Sequence, residues 1–157
     1  MVLKLIAHRG NLSGPNPHLE NSPEYLESAI HAGYDVEIDF WYLESTASLF
    51  LGHDKPGFEI EFAWLNEFSK NIWIHCKNES ALFFLSKFEQ FNYFWHQEDD
   101  FTITSNGIFW VYPGKSLNSN CIMVLPERVG KLEQQTFQDI NLYGICSDYV
   151  LKIQSFL

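Results

Sequence analysis

The chain begins with a short apolar run, a polar loop and a segment with helical spacing. Val2 to Ala7 is apolar except for one lysine, which predicts a buried strand, and the loop from Asn11 to Asn21 is rich in Gly, Pro, Asn and Ser. Ser22-Pro23-Glu24 favours the start of a helix, and Gly33 favours its end. These patterns predict a strand, a long loop and a helix.

The next segment alternates strictly between apolar and acidic side chains. From Tyr34 to Tyr42, apolar residues at the even positions alternate with acids at positions 35, 37 and 39, which predicts a strand with one acidic face. Ala47 to His53 has a similar alternation and follows a short turn, so it predicts the returning arm of a hairpin.

The remainder of the chain predicts short strands with few helices. Helices are expected over Phe62–Phe68, Ser80–Phe91 and Lys131–Asn141, and strands over Asn71–Lys77, Tyr93–Trp95, Phe101–Thr104, Ile108–Val111, Ile122–Leu125 and Tyr143–Ser147. Ser105-Asn106-Gly107 favours a hairpin turn. Strands joined by helices predict an α/β fold, but a full (β/α)8 barrel needs about 250 residues. We therefore expect a single domain over residues 1–157 that forms a reduced or irregular TIM-type (β/α) barrel, with fewer helices in its second half.

Composition narrows the functional classes. The 157 residues are 46% hydrophobic and 19% charged, which is typical of a folded domain, and the formal net charge is −10. Such a charge argues against nucleic acid as a partner, and an anionic substrate would need locally placed cations or a bound metal. The three cysteines are far apart without a CxxC spacing, so neither a disulfide framework nor a cysteine-based zinc site is predicted.

The sequence also bears on the compartment and on assembly. No apolar run approaches the roughly 18 residues of a membrane span, and the apolar run at the start is shorter than that of a secretion signal. We therefore expect no membrane span and a cytoplasmic location. An oligomer is possible, because a second half with few helices can leave apolar strand faces uncovered.

Chemically active side chains follow several of the predicted strands. His8-Arg9 follows the first strand, Glu37 and Asp39 lie on the acidic face of the second, and His53-Asp54 closes the hairpin. In parallel α/β folds, residues at the carboxyl ends of strands converge on one site. Two residues apart on a strand, Glu37 and Asp39 lie about 6.6 Å apart along the backbone, within reach of one divalent cation.

Four motifs in this order resemble those of a known enzyme family. Ile6-Ala7-His8-Arg9-Gly10, Glu20-Asn21-Ser22, Gly33 to Asp39 and Gly52-His53-Asp54 are similar to the glycerophosphodiester phosphodiesterases and their relatives in the phosphatidylinositol-type phospholipase C superfamily. The close match covers about the first third of the chain. Gly144 to Tyr149 resembles the last strand of that family, which implies a shrunken barrel rather than a truncated one.

The resemblance implies roles for the residues of these motifs. It makes His8 and His53 the general acid and base, and it makes Glu37 and Asp39 metal ligands. Arg9 would hold the substrate phosphate, and Glu20-Asn21 would support the loop and fix Arg9 by hydrogen bonding.

The third barrel strand departs from the family pattern. The family usually has Glu-x-Lys there, the Glu completing the metal site and the Lys facing the phosphate, whereas this chain has His75-Cys76-Lys77. Lys77 is expected to bind phosphate. His75 either becomes the third metal ligand, which suits Mn or Zn better than Ca, or leaves the site with two carboxylates.

The resemblance implies a metal-dependent phosphodiesterase that cleaves a small glycerophosphodiester-like substrate. Its cofactor would be a divalent metal ion, Mg, Mn or Ca, with Zn possible. Histidine suits both proton transfers of phosphodiester cleavage at neutral pH. Two alternatives stay open: a non-catalytic relative that binds anions, and a phosphodiester lyase that releases a cyclic phosphate.

Overall fold

A computed structural model describes residues 3–137 and 141–157. Its strands are β1 (Lys4–His8), β2 (Asp35–Leu43), β3 (Ser48–Leu51), β4 (Phe58–Ile60), β5 (Ile72–Cys76), β6 (Asn92–Phe94), β7 (Phe101–Ile103), β8 (Phe109–Val111), β9 (Cys121–Val124) and β10 (Gly144–Ser147). Its α-helices are α1 (Pro23–His31), α2 (Phe62–Glu67), α3 (Glu79–Leu85) and α4 (Val150–Gln154), with short 3-10 turns at Pro126–Arg128 and Gln134–Phe137. None of these helices is long and apolar enough to cross a membrane.

Seven parallel strands form the body of the sheet, in the order β6-β5-β2-β1-β10-β9-β8. The hairpin partner β7 runs antiparallel to β8, and β3 and β4 extend the far end of β2 as an antiparallel flap. No ladder among the described residues joins β6 to β8, but Phe94 and Trp110 stack across this seam with ring centroids 4.5 Å apart. The curled, helix-poor sheet confirms the prediction of a reduced α/β barrel.

The alternation of β2 sorts its side chains between two environments. Val36, Ile38 and Phe40 are fully buried in a cluster with Leu26 of α1 and Leu85 of α3. Burial of each large apolar side chain stabilises the fold by about 1.5–3 kcal/mol. The acidic side chains of the same strand consequently point to the other face of the sheet, into the barrel.

The first of these acids, Asp35, has a structural role at the bottom of the barrel. It is 6% exposed, and its Oδ2 accepts hydrogen bonds from Lys4 Nζ at 2.9 Å and from Trp73 Nε1 at 3.1 Å. A buried carboxylate with a cation and an indole donor needs no further partner. Glu37 and Asp39 lie farther along β2, toward the carboxyl ends of the strands.

Some elements differ from the sequence prediction. The helix expected over Ser80–Phe91 ends at Leu85, because Phe88 and Phe91 turn back to pack against Phe62 of α2. Of the helix expected over Lys131–Asn141, only the 3-10 turn at Gln134–Phe137 forms, and positions 138–140 lie outside the described residues. The three-residue β4 and the five-residue α4 were not predicted, since elements this short carry little periodicity.

Candidate functional site

A cavity of about 260 Å³ opens at the carboxyl ends of the parallel strands. Its lining residues are His8, Arg9, Glu37, His53, His75, Lys77, His96, Gln97, Trp110, Tyr112, Pro113, Val124, Leu125 and Arg128. A larger groove of about 430 Å³ lies outside the barrel, but aromatic and aliphatic side chains such as Tyr42, Phe62 and Phe84 form much of its wall. The smaller cavity therefore holds the chemically active side chains.

His8 ends β1 and is held by Asp148, the residue after β10. The two atoms His8 Nδ1 and Asp148 Oδ1 lie 2.7 Å apart, and His8 is 7% exposed. Because the carboxylate accepts, Nδ1 carries the hydrogen and Nε2 is free, 3.9 Å from Glu37 Oε2. Burial alone would lower the pKa of His8, but the hydrogen bond with Asp148 and the charge of Glu37 raise that pKa above its ordinary value.

Asp148 was not assigned a role from the sequence, although it directly follows the last predicted strand. Its Oδ1 also accepts a hydrogen bond from Asn11 Nδ2, and its backbone N–H donates to Glu127 Oε1, each at 2.8 Å. Burial raises the pKa of Asp148, but the hydrogen bond with His8 outweighs it and lowers that pKa. The carboxylate is therefore ionised and fixed, as required of a group that orients a catalytic imidazole.

The turn after β1 directs Arg9 toward β2. Arg9 has a φ of 54° and Gly10 a φ of 88°, and the Arg9 N–H donates to the Glu37 carbonyl at 3.0 Å. A non-glycine residue in the left-handed region costs about 1–3 kcal/mol and is typical of functional sites. As a result, Arg9 Nε lies 2.9 Å from Asp39 Oδ2, and Arg9 Nη1 donates to Glu20 Oε2 at 3.2 Å.

Asp39 is the centre of the charged network. It is fully buried, and Asn21 binds it twice, since Asn21 Nδ2 donates to Asp39 Oδ2 and the Asp39 N–H donates to Asn21 Oδ1, both at 2.9 Å. Lys77 Nζ lies 3.3 Å from its Oδ1. Burial raises the pKa of Asp39, but the hydrogen bond with His75 and the charges of Arg9 and Lys77 hold that pKa well below its usual range.

His75 lies on β5, level with Asp39 of β2. Its Nδ1 is 3.3 Å from Asp39 Oδ1 and 3.6 Å from Glu37 Oε1, while its Nε2–H donates to the carbonyl of His96 at 2.8 Å. The ring stacks on Phe94 with centroids 5.1 Å apart. Burial lowers the pKa of His75, but the two carboxylates outweigh it and raise that pKa to about 9.

These three side chains have the properties of a metal site. Glu37, Asp39 and His75 each offer one ligand atom, and the three atoms lie within 4.8 Å of one another. Among the described residues, Glu37 Oε2 and Asp39 Oδ1 are buried with charged neighbours at 3.3–3.9 Å but without a hydrogen bond of good geometry. Metal-bound histidines commonly donate their second ring N–H to a backbone carbonyl, as His75 does to His96. The donor set therefore fits one divalent cation.

His53 reaches the same cavity from the loop after β3, but it is less firmly held than His8. Gly52 has a φ of 149°, and a Cβ there would lie 2.3 Å from the Lys55 carbonyl oxygen, so only glycine fits this tight turn. The His53 side chain is 44% exposed, and its Nδ1 lies 2.6 Å from Oδ1 of Asp54, which is 91% exposed. Such a pair restrains the ring weakly.

The structure thus brings together the residues that the sequence marked. The two histidines, both phosphate-binding candidates, Glu37 and His75 line the cavity, and Asp39, Glu20 and Asn21 lie directly behind it in contact with Arg9. The Asn21 side chain binds Asp39, and its backbone N–H donates to the Arg9 carbonyl at 3.2 Å. Asp148, Glu127, His96 and Arg128 were given no role by the resemblance.

Comparison with solved structures gives the same fold. A protein assigned to the glycerophosphodiester phosphodiesterases, from Galdieria sulphuraria, aligns over 99% of this chain and 98% of its own with 10% identity and a TM-score of 0.57. A glycerophosphoryl diester phosphodiesterase from Parabacteroides distasonis ATCC 8503 aligns over 99% of this chain and 86% of its own, with 11% identity and a TM-score of 0.54. No protein-family model and no curated protein sequence matches the chain. The fold of glycerophosphodiester phosphodiesterases is therefore confirmed.

Proposed function

We propose that this chain is a phosphodiesterase that cleaves small glycerophosphodiester-like substrates with the help of a divalent cation. The observation that carries the proposal is the placement of the His8–Asp148 pair beside the Glu37, Asp39 and His75 cluster in one cavity. An oriented imidazole, a set of metal donors and two cations are the parts that phosphoryl transfer requires. The shared fold with glycerophosphodiester phosphodiesterases supports the same substrate class.

Arg9 and Lys77 hold the phosphate of the substrate in this proposal. Both line the cavity, and both are oriented by Asp39, whose oxygens lie 2.9 Å from Arg9 Nε and 3.3 Å from Lys77 Nζ. In a chain of formal charge −10, these locally placed cations offset the general repulsion of an anion. Charge-assisted hydrogen bonds to phosphoryl oxygens are about twice as strong as neutral ones.

The two histidines transfer the protons. One imidazole takes a proton from the attacking water as the water oxygen bonds to phosphorus, and the other donates a proton to the alcohol oxygen as the original P–O bond breaks. In the lyase alternative, a neighbouring hydroxyl of the substrate attacks in place of water and leaves a cyclic phosphate. His8 is suited to this work because Asp148 fixes its tautomer and leaves Nε2 exposed to the cavity. His53 lies on the exposed loop after β3, and because its ring is only weakly restrained, it adjusts its position to the bound substrate.

Glu37, Asp39 and His75 would hold the divalent cation, which when bound supplies charge stabilisation to the phosphoryl oxygens and lowers the pKa of a nearby hydroxyl. We favour manganese or zinc over magnesium or calcium, because an imidazole takes part in the donor set. His96 supports this site by accepting the Nε2–H of His75, so that Nδ1 is the nitrogen directed at the carboxylates.

One observation favours a second candidate, an anion-binding protein without catalysis. The two carboxylates raise the pKa of His75 to about 9, so at neutral pH a proton on Nδ1 can take the place of a cation between Glu37 and Asp39. Arg9 and Lys77 would then still bind phosphate groups. The two candidates differ in whether the protein turns over a diester.

The experiment that separates them is a turnover assay with product identification. The protein is incubated with glycerophosphoethanolamine and Mg²⁺, Mn²⁺, Ca²⁺ or Zn²⁺, or with EDTA, and the reaction is quenched with EDTA before ³¹P NMR. Release of glycerol 3-phosphate in a metal-dependent manner supports the hydrolase, and a cyclic phosphate as the end product identifies a lyase. Unchanged substrate with every metal, together with binding of glycerol 3-phosphate, supports the anion-binding protein.

A further inference from the structure

Arg128 is a third cation of the cavity, and it follows a different strand from Arg9 and Lys77. It lies in the 3-10 turn directly after β9, is exposed, and lines the cavity together with Tyr112, Pro113 and Leu125. In the sheet, β1 and β10 separate β9 from β2, so Arg128 and the Glu37 and Asp39 pair stand on different walls. Arg128 is therefore placed beside the part of a substrate that extends beyond its phosphate.

The cations of the inner wall already have carboxylate partners. Arg9 and Lys77 contact Asp39 and Glu20, while Glu37 and Asp148 face His75 and His8. Arg9 and Lys77 are thus both paired with carboxylates of this wall and are both assigned to the phosphate, which leaves neither for a second anionic group. A substrate with a second negative group needs another cation, and no carboxylate oxygen of the described residues lies within 4.0 Å of the Arg128 guanidinium.

The turn that carries Arg128 is held rigidly. Leu125 has a φ of 45° and a ψ of 56° directly before Pro126, although its side chain is only 4% exposed and packs in the inner core. A buried leucine keeps a left-handed backbone only where its surroundings fix it. Glu127 supplies that restraint, because its two carboxylate oxygens accept from the Ser147 hydroxyl at 2.9 Å and from the Asp148 N–H at 2.8 Å.

We infer that Arg128 is a specificity-determining residue, which selects phosphodiesters whose alcohol carries a second anionic group such as a carboxylate. The inference rests on the proposed function, since it assigns the substrate class of the same cavity. The phosphate lies against Arg9 and Lys77, the alcohol lies along Tyr112 and Leu125, and its negative group pairs with the Arg128 guanidinium. A cationic alcohol such as choline is disfavoured there.

Two diesters that differ only in one carboxylate provide the test. The kcat/KM values for glycerophosphoserine and glycerophosphoethanolamine are measured with Mn²⁺ for the wild type, Arg128→Gln and Arg128→Lys. Lys70→Gln serves as the net-charge control, because the exposed Lys70 precedes β5 at the opposite end of the barrel. We expect the wild type to prefer glycerophosphoserine by about tenfold or more, as is typical of a charge-assisted contact.

In Arg128→Gln the ratio of the two kcat/KM values should fall to about one, because only the value for glycerophosphoserine decreases. Arg128→Lys should keep part of the preference for glycerophosphoserine, and Lys70→Gln should keep all of it. Equal kcat/KM values in the wild type, or a preference that survives Arg128→Gln, would overturn the inference. If neither diester is cleaved, the proposed function fails, and calorimetric Kd values for the same two diesters decide on Arg128. A weaker Kd in Arg128→Gln for glycerophosphoserine only supports its role, and equal changes for both diesters refute it.

Discussion

His8 Nδ1 and Asp148 Oδ1 lie 2.7 Å apart although 140 positions separate the two residues. The contact exists because β1 and β10 are neighbouring parallel strands with Ala7 paired to Ser147, so that His8 at the end of β1 and Asp148 directly after β10 lie at the same edge. It fixes the tautomer of His8 and raises its pKa. The first and last barrel strands together thus hold the imidazole that we propose as a proton donor or acceptor.

This contact predicts the behaviour of Asp148→Asn. The amide removes the charge that holds His8, so turnover should fall by roughly 100-fold or more, as on loss of a positioned acid or base. The pKa of His8 should also fall, and the limb of the pH–rate profile that reports His8 should move to lower pH.

Asp54→Asn is the matched control for Asp148→Asn. Asp54 is also paired with a histidine, but it is 91% exposed, and an exposed pair contributes little. The turnover and the pH–rate profile of Asp54→Asn should therefore change only slightly. Equal losses in the two variants, without a shift of the limb in Asp148→Asn, would show that Asp148 does not orient His8.

Lys77 and Lys115 offer a second matched comparison. Lys77 lines the cavity with its side chain 16% exposed, whereas Lys115 is paired with Asp100 on the surface with its side chain 44% exposed. Lys77→Met should weaken binding of glycerol 3-phosphate by about tenfold or more, and Lys115→Met should leave it unchanged. Calorimetric titration measures both. An unchanged Kd in Lys77→Met would place the phosphate elsewhere.

Arg9 should differ from Lys77 in its effect on stability. Its guanidinium contacts both Asp39 and Glu20, so Arg9→Met removes one cationic partner from each of two carboxylates. The loss of one partner of a buried pair costs about 3–5 kcal/mol. Urea unfolding should show a large drop in the free energy of unfolding for Arg9→Met and a smaller one for Lys77→Met. Equal, small losses in both would contradict the buried network around Asp39.

The pH dependence of metal binding follows from His75. Without a cation, the pKa of His75 is raised to about 9, so its imidazolium stabilises the fold fully below the ordinary value of 6.5 and loses this contribution as the pH rises through 9. A metal ligand must be deprotonated, and cation binding at pH 7 should therefore release about one proton. Metal affinity should rise about tenfold per pH unit up to pH 9.

Calorimetric titration of Mn²⁺ in two buffers of different ionisation enthalpy measures the released proton. In His75→Glu the pH dependence should flatten between pH 6 and 9, and the preference should shift toward Mg²⁺ or Ca²⁺. The metal-free variant should also be less stable than the wild type, because three carboxylates then meet without the imidazolium. The same pH profile and metal preference in both proteins would show that His75 is not a ligand.

The sequence predicted the inner strands better than the outer elements, for a physical reason. The alternation from Tyr34 to Tyr42 separates the faces of β2 over nine residues, and the glycine, proline and loop residues beside it mark the turns. The early end of α3 and the short α4 depend on tertiary packing of residues such as Phe88 and Ile153, which no local pattern records.

In the candidate site, too, the residues that follow local sequence patterns were predicted, and those that depend on tertiary contacts were not. His8, Glu37, Asp39 and His53 were marked by their positions at strand ends, where convergence follows from parallel pairing. Asp148 and Arg128 were not given roles, since their significance lies in contacts across the barrel. The tautomer of His75 also depends on a carbonyl, that of His96, which has no sequence signature.

The central claim, metal-dependent cleavage of a glycerophosphodiester by His8 and His53, is tested most directly by one rate. The initial rate of glycerol 3-phosphate release from glycerophosphoethanolamine is measured with Mn²⁺ and with EDTA for the wild type, His8→Asn and His53→Asn, with near-UV circular dichroism to confirm folding. The account predicts a rate that EDTA abolishes and that each folded variant lowers by roughly 100-fold or more. A rate equal to the wild type in either folded variant, or no release by the wild type with any of the four metals, would contradict it.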